Sequence, residues 1–273
     1  MENILYIYWN ISPYILKFGS FTLGYYNLLF VGGIVISSYI INRLFKKEGI
    51  PDALFTKLFL YCFVGIVAGA RLGHCLFYEP EYFLAHPLEM ILPISFRNGS
   101  FSFGYRGLAS HGGAIGLLIA IFLYCRQTKS PVLKTLDYIG VVAPLGGMCI
   151  RIGNFMNSEI IGDVTDVPWA VVFERVDMNP RHPAQLYEAL AYLVIFIILF
   201  TLYKYRRSEF KSGFFFGSSI FLIFISRFCI EFIKEAQESF ENYMTLDMGQ
   251  LLSIPFIVVG LYLIIAKKAV KSK

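Results

Sequence analysis

Apolar positions in this chain run in unbroken blocks rather than in alternation. Such blocks cover about Phe21 to Ile41 and Leu58 to Phe77, a third opening at Gly107 to Gly116, and a fourth from near Asp137 to Ile150. A fifth follows Arg181-His-Pro-Ala-Gln-Leu-Tyr-Glu188, a sixth covers Gly213 to Phe232, and a seventh follows Met248-Gly249-Gln250 and ends near Ile265. Most are roughly the 17–22 residues that a helix needs to cross about 30 Å of hydrocarbon. In lipid, backbone polar groups must be satisfied within helices or closed barrels, and continuous rather than alternating apolar runs select helices. The pattern predicts an all-α polytopic membrane protein of seven spans, built as one domain over residues 1–273.

The segments between the blocks refine this picture. Residues 1–20 hold Tyr6, Tyr8, Trp9, Pro13 and Tyr14, an aromatic mix suited to a membrane interface. Residues 79–106 are broken by Pro80, Pro87, Pro93, Gly99 and Gly104 yet carry Phe83, Leu84, Met90 and Ile91. They predict a short helix lying in the outer interface, with 95–106 as an insertion. Residues 163–181, with Trp169, Val171, Val172 and Phe173, predict an external loop or short strand.

Composition excludes an ordinary soluble domain, since 56% of residues are hydrophobic and only 16% charged. The net charge of +5 is no nucleic-acid footprint, because the basic residues sort by loop instead of forming one patch. Lysines and arginines follow the first, third, fifth and seventh blocks; acidic residues fill the alternate loops. The positive-inside rule then places the C-terminus in the cytoplasm and the N-terminus outside. Cys62, Cys75, Cys125, Cys149 and Cys229 all lie in or at the ends of spans without metal-ligand spacing, so they read as packing residues. No cleaved leader is expected, because no basic residue precedes the first apolar stretch.

The chemistry concentrates in Arg151-Ile-Gly-Asn-Phe-Met-Asn-Ser-Glu-Ile-Ile-Gly162, directly after the fourth block. Charge at the edge of a hydrocarbon phase costs several kcal/mol unless it is paired or used. A lone arginine would serve as a snorkelling anchor; Arg151 followed by Asn154, Asn157, Glu159 and Gly162 reads instead as a site. Further along, Gln185 and Glu188 lie one turn apart, and Glu188 needs a cationic partner, Arg151 or Arg227. Arg227 and Glu231, four residues apart, share a face of the sixth span. Gly65, Gly69 and Gly73 on the second span leave room for another helix to approach. Asp137 is expected to cap its own helix at the N-terminal end of the dipole.

The motif Arg-x-Gly-Asn-Phe-x-Asn-x-Glu-x-x-Gly resembles the signature of the bacterial prolipoprotein diacylglyceryl transferase family. His111-Gly-Gly and Arg181-His-Pro-Ala-Gln-Leu-Tyr-Glu188 resemble two further blocks of that family in the same order, and the likeness runs from about Tyr25 to Gly260. The resemblance implies an integral enzyme of the bacterial inner membrane with its active site toward the external face. It implies catalytic roles for His111, Arg151, Glu159 and Arg227, and substrate-facing roles for Tyr26, Arg71, Asn154, Asn157, Gly162, Gln185, Glu188 and Glu231. Tyr26 is equally readable as an interfacial anchor, and Arg71, which shares a face with His74, as a snorkelling residue. The chain departs from the family at Ile223, where a tyrosine usually stands, and Tyr105, Tyr187 or Tyr243 are the candidates to supply that hydroxyl.

The reaction implied is transfer of diacylglycerol from phosphatidylglycerol to the lipobox cysteine of a prolipoprotein, with release of glycerol phosphate. The residues suit it. Paired guanidiniums match a phosphodiester and keep their charge in lipid, and the cysteine must react as its thiolate, with His111 or Glu159 as base. No metal or cofactor is required. The competing class is a multipass lipid or anion transporter, which would also use arginines, although no inverted repeat is visible.

Overall fold

In the computed structural model the described residues are 6–18, 21–92, 94–95, 102–103, 107, 109–236 and 244–266. Long helices dominate: α1 (Tyr25–Lys47), α2 (Asp52–Phe77), α5 (Ser110–Thr128), α6 (Val132–Asn157), α7 (Ala184–Arg206), α8 (Phe214–Glu231) and α9 (Met248–Ile265). At about 1.5 Å per residue, 18 residues already cover roughly 27 Å. Among the described residues, six of these helices are long and apolar enough to cross a membrane. The seventh, α5, has 19 residues but ends in polar positions, with Ser110 and His111 at one end and Arg126, Gln127 and Thr128 at the other. Large apolar side chains such as Val35, Phe63, Ile119, Ile197, Val258 and Tyr262 are exposed along the helices. Water would not tolerate that surface over so many turns; hydrocarbon would. The chain is a polytopic helical membrane protein.

By proximity along the fold the chain divides into two compact units: Met1–Ile41 with Leu136–Lys273, and Asn42–Thr135. The boundaries fall inside α1 and α6.

In the second unit, α2 and α5 pack backbone against backbone. A Cβ added at Gly69 would stand 2.3 Å from the Gly112 carbonyl oxygen, and one at Gly116 2.1 Å from that of Gly65. The glycine stripe of α2 thus meets the glycines of the His-Gly-Gly segment and the turn after it. After α2 the chain makes two short helices instead of the single one expected, α3 (Pro80–Ala85) and α4 (Pro87–Ile91). Each has proline in its first turn, where its missing N–H has no helical partner to lose. Short strands β4 (Ile94–Ser95) and β5 (Ser102–Phe103) pair antiparallel; the rest of the 95–106 insertion lies outside the described residues, apart from these strands.

The first unit departs from expectation in three places. The apolar run expected to begin the first span at Phe21 is β3 (Phe21–Gly24), paired antiparallel with β2 (Tyr14–Phe18), and the helix starts only at Tyr25. Aromatic and β-branched residues favour the pleated state here. Secondly, β1 (Ile7–Trp9) pairs in parallel with β6 (Val171–Phe173), which pairs antiparallel with β7 (Pro180–Arg181). The N-terminal segment and the external loop are therefore one small sheet. Its apolar face, with Val171 and Phe173, closes over Phe155 and Ile161, and the Trp9 ring stacks obliquely on Phe155 at 4.4 Å. Thirdly, α6 continues past Ile150 to Asn157, so the arginine–asparagine cluster is itself helical.

Asp137 does cap a helix, but not its own. Its buried carboxylate accepts the backbone N–H groups of Gly213 (2.8 Å) and Phe216 (3.0 Å), at the start of α8. The dipole argument was sound; tertiary packing supplied a different N-terminus. Close by, Tyr203 of α7 lies between the Tyr138 ring of α6 and the Phe215 ring of α8, joining the three helices into a core.

Candidate functional site

Alternation of helix direction brings together the start of α1, the end of α6, the start of α7, the end of α8 and the start of α9. The end of α6 opens the site. Arg151 donates through Nη1 to the Asn154 side-chain oxygen at 3.4 Å. The two carboxamides then grip one carboxylate: Asn154 Nδ2 donates to Glu159 Oε2 (3.3 Å) and Asn157 Nδ2 to Glu159 Oε1 (3.2 Å). Glu159 lies between Ser158 (φ 57°) and Ile160 (φ 58°). Left-handed backbone costs about 1–3 kcal/mol at a non-glycine residue and is most unfavourable for a β-branched one. Fixed contacts over-determine this turn. The Glu159 N–H donates to the Asn154 carbonyl at 3.0 Å, and Gln185 Nε2 donates to the Glu159 carbonyl at 2.6 Å. Gln185 is fully buried and braces the turn. Tyr26 packs its ring onto Gly153, where a Cβ would come within 2.8 Å, and lies within electrostatic reach of Glu159 and Arg151.

A chain of alternating charges leads away from Arg151. Its Nε stands 3.0 Å from Glu188 Oε2; Lys234 Nζ stands 3.7 Å from Glu188 Oε1 and 2.9 Å from Glu231 Oε2; Arg227 Nε stands 4.0 Å from Glu231 Oε2. Both candidate readings of the Glu188 partner were therefore incomplete. Arg151 is one partner, and a buried lysine absent from the sequence-based list is the other. Five groups of alternating sign sum to one positive charge, with a guanidinium at each end. Arg227 is the loosest, its side chain 31% exposed, whereas those of Glu188 and Lys234 are essentially sealed. The Arg151–Glu188 contact is a charge contact without aligned hydrogen bonds, since neither Glu188 oxygen meets hydrogen-bond geometry with a described residue.

Glycines make the room. At Gly249 a Cβ would lie 2.2 Å from Glu231 Oε1. Beside it, Gln250 completes a capping box with Asp247 at the start of α9. Gly162 is a backbone joint. A Cβ there would stand 2.6 Å from the His182 Cβ and 2.7 Å from the Ile233 carbonyl oxygen. The residue bridges to Lys234 and accepts from Arg181 Nη1 at 3.2 Å. Arg181 also pairs with Asp177 (2.6 Å) and Glu235 (3.2 Å), and its guanidinium holds the Asp177 carboxyl at about 2, well under its ordinary 3.8.

The second unit holds the other two expected residues. Arg71 is buried and donates to the carbonyl oxygens of Glu89, Met90 and Gly107, with its guanidinium over the Phe83 ring. It ties α2 to the short helices α3 and α4. His74 shares that face and lies directly on Gly107 (φ 82°), where any Cβ would meet the ring at 2.0 Å. His111 opens α5 with an exposed imidazole that has no partner among the described residues.

Tyr192 was missed too. It is buried, has its hydroxyl in hydrogen-bonding reach of Arg151, and lies within electrostatic reach of Glu188 and Arg227. The available signals were Tyr192 four residues after Glu188 and Lys234 three after Glu231, each on the face of a residue already chosen. Of the hydroxyls suggested for the place of Ile223, Tyr105 and Tyr243 lie outside the described residues. Tyr187 accepts from Trp169 Nε1 (2.7 Å) and contacts His182 Nδ1 (3.2 Å), away from the guanidiniums.

Among the described residues, six helices long and apolar enough to span a membrane, with three cations and three carboxylates gathered near the ends of α6, α7 and α8, define a polytopic membrane protein with a polar site at one end of those helices. The matching family model is that of prolipoprotein diacylglyceryl transferase, over residues 13–266. The chain belongs to that family. It is 50% identical to a phosphatidylglycerol–prolipoprotein diacylglyceryl transferase of Bacteroides fragilis, with 99% of this chain and 100% of the relative aligned. The proteins of the same description from Tolumonas auensis and Chloroherpeton thalassium are 41% and 40% identical, covering 98% and 97% of this chain and 100% and 95% of their own lengths.

Proposed function

We propose that this chain transfers the diacylglyceryl group of phosphatidylglycerol to the cysteine thiol of a prolipoprotein. The observation that carries the reading is the charge chain between Arg151 and Arg227, with its single net positive charge matched to one phosphodiester. In the reaction the thiolate sulfur attacks the glycerol carbon that bears the phosphate ester. The carbon–sulfur bond forms as the carbon–oxygen bond breaks, and the bonding pair leaves on glycerol phosphate. Phosphate is a poor leaving group at an alkyl carbon, so charge developing on it calls for fixed cations in a dry setting. Arg151 and Arg227 fill that role, held in place by Glu188, Lys234 and Glu231. The base candidates for the thiol proton are Glu159, which has both oxygens engaged by Asn154 and Asn157, and His111, whose exposed imidazole has no partner among the described residues. The distribution of Lys and Arg among the loops supports a cytoplasmic C-terminus and chemistry at the external face, and the family relationship supports a bacterial inner membrane. The acceptor is a signal peptide carrying a lipobox cysteine.

The test uses purified protein, phosphatidylglycerol vesicles and a lipobox peptide, read by mass spectrometry. A diacylglyceryl mass gain on the cysteine is expected from the native protein and is expected to vanish in Arg151→Ala and His111→Gln variants that remain folded. No gain on a competent peptide would overturn the reading and direct attention to lipid transport.

A further inference from the structure

We infer that Tyr192 belongs to the phosphate-handling part of this site, setting the orientation of Arg151 and offering its phenolic hydrogen to the same anion. The inference rests on the proposed transfer and concerns which side chains carry it out.

Three observations converge. Tyr192 lies one helical turn beyond Glu188 on α7, so it rises on the face that presents the carboxylate to Arg151. Its ring is pressed onto α6 at Gly147, where a Cβ would stand 2.9 Å from Cδ2 and 3.2 Å from Cε2. Gly147 is itself one turn before Arg151, so the glycine fixes the ring directly along the helix from the guanidinium. The hydroxyl is then placed by covalent geometry, in hydrogen-bonding reach of Arg151 and within electrostatic reach of Arg227. A buried tyrosine hydroxyl normally finds a partner. A guanidinium can only donate, so toward Arg151 the phenol oxygen is the acceptor and its hydrogen is left for something else. Glu188 is the nearby carboxylate, yet neither of its oxygens makes a hydrogen bond with a described residue. A phenolic hydrogen beside the Arg151 guanidinium, within electrostatic reach of that of Arg227, is a donor for a phosphate oxygen. A simple packing tyrosine would have no need of that position, because phenylalanine would fill the space on Gly147 equally well. The phenol keeps its proton throughout the reaction.

Tyr192→Phe retains the ring and its packing, so the hydroxyl alone is tested. With phosphatidylglycerol vesicles and a lipobox peptide, kcat is expected to fall about 10- to 100-fold, the range for removal of one preorganised donor at a developing charge. KM for the peptide should stay within about twofold, while inhibition by added glycerol phosphate weakens about tenfold or more. In an Arg151→Lys background, whose residual activity is measured first, the added effect of Tyr192→Phe should shrink to about twofold, because the two groups act as a unit. Thermal midpoints in detergent check folding. Native-like turnover and glycerol phosphate inhibition in Tyr192→Phe would overturn this inference alone, and so would an equal loss in both Arg151 backgrounds. Absence of turnover in the native protein would overturn the transferase reading itself and this one with it.

Discussion

Lys234 is the test of whether the charge chain is a working unit or a set of incidental contacts. Its Nζ stands 2.9 Å from one Glu231 oxygen and 3.7 Å from one Glu188 oxygen. At an effective dielectric of about 20 these contacts amount to roughly 6 and 4.5 kcal/mol of gross attraction, most of it offset by desolvation of three ions. Replacing Lys234 with Met keeps much of the stem's bulk but leaves two carboxylates facing each other in a sealed space. Breaking a buried pair from one side costs about 3–5 kcal/mol, which for a chain of this size lowers the thermal midpoint by about 6–20 °C. The backbone should hold its place meanwhile. Lys234 is bridged to Gly162, the Asp163 N–H donates to the Ile233 carbonyl at 3.0 Å, and the Glu235 N–H donates to the Ile161 carbonyl at 3.2 Å. The assay is thermal unfolding of the purified protein in detergent, run alongside Glu231→Gln and the double variant. The double variant removes one charge of each sign, so it should be more stable than Lys234→Met by at least about 1 kcal/mol, a coupling typical of groups in one network. A loss under about 1 kcal/mol in Lys234→Met, or simple additivity in the double variant, would refute the idea that this lysine holds the two glutamates.

Other expectations are as direct. Gly249→Ala places a methyl group where Glu231 Oε1 now lies; turnover should fall about tenfold with the fold retained, and Glu231→Asp in the same chain should recover part of it, as peptide lipidation assays would show. Asp137→Ala strands two buried N–H groups of α8 and should cost about 2–4 kcal/mol, with Asp137→Asn costing less because an oxygen remains to accept. The Asp177 carboxyl is held at about 2 against an ordinary 3.8, chiefly by its hydrogen bonds from Arg181. A depressed value in the folded state means that the stabilisation is complete above about pH 4 and disappears as pH falls toward 2. The acid limb of a detergent melting profile should therefore flatten over that window in Asp177→Asn.

Much of this architecture was written plainly in the chain. Unbroken apolar blocks located the long helices, and the glycine stripe of α2 foretold a close helix partner, which is α5. The motif at Arg151 located the core of the site. What stayed hidden was tertiary in origin. Phe21–Gly24 is apolar enough to begin a helix, and only its pairing with Tyr14–Phe18 makes it a strand. Asp137 lies near the start of α6, so its own helix was the natural guess, whereas the N-terminus it serves is 76 residues away. Gln185, Arg71 and Gly162 stand in motifs, yet the backbone contacts they make could not be read there, because a motif records which residues matter and not which atoms they touch. Lys234 stands just beyond the end of a span, outside every motif. Its burial depends on two carboxylates arriving from different helices, and no local pattern encodes that meeting.

The parallel pairing of Ile7–Trp9 with Val171–Phe173 has a consequence for how the molecule is made. The strand that supports the end of α6 is synthesised 164 residues ahead of its partner. At about 5–20 residues per second that is a wait of roughly 8–30 s. Throughout it the N-terminal strand has an unsatisfied edge, and the turn that carries Glu159 lacks the sheet beneath which Phe155 and Ile161 are packed. Four of the long helices are synthesised before the clasp can shut. Competence thus comes late and all together in the life of each new chain, and a half-inserted molecule has no finished site with which to act on the lipids around it.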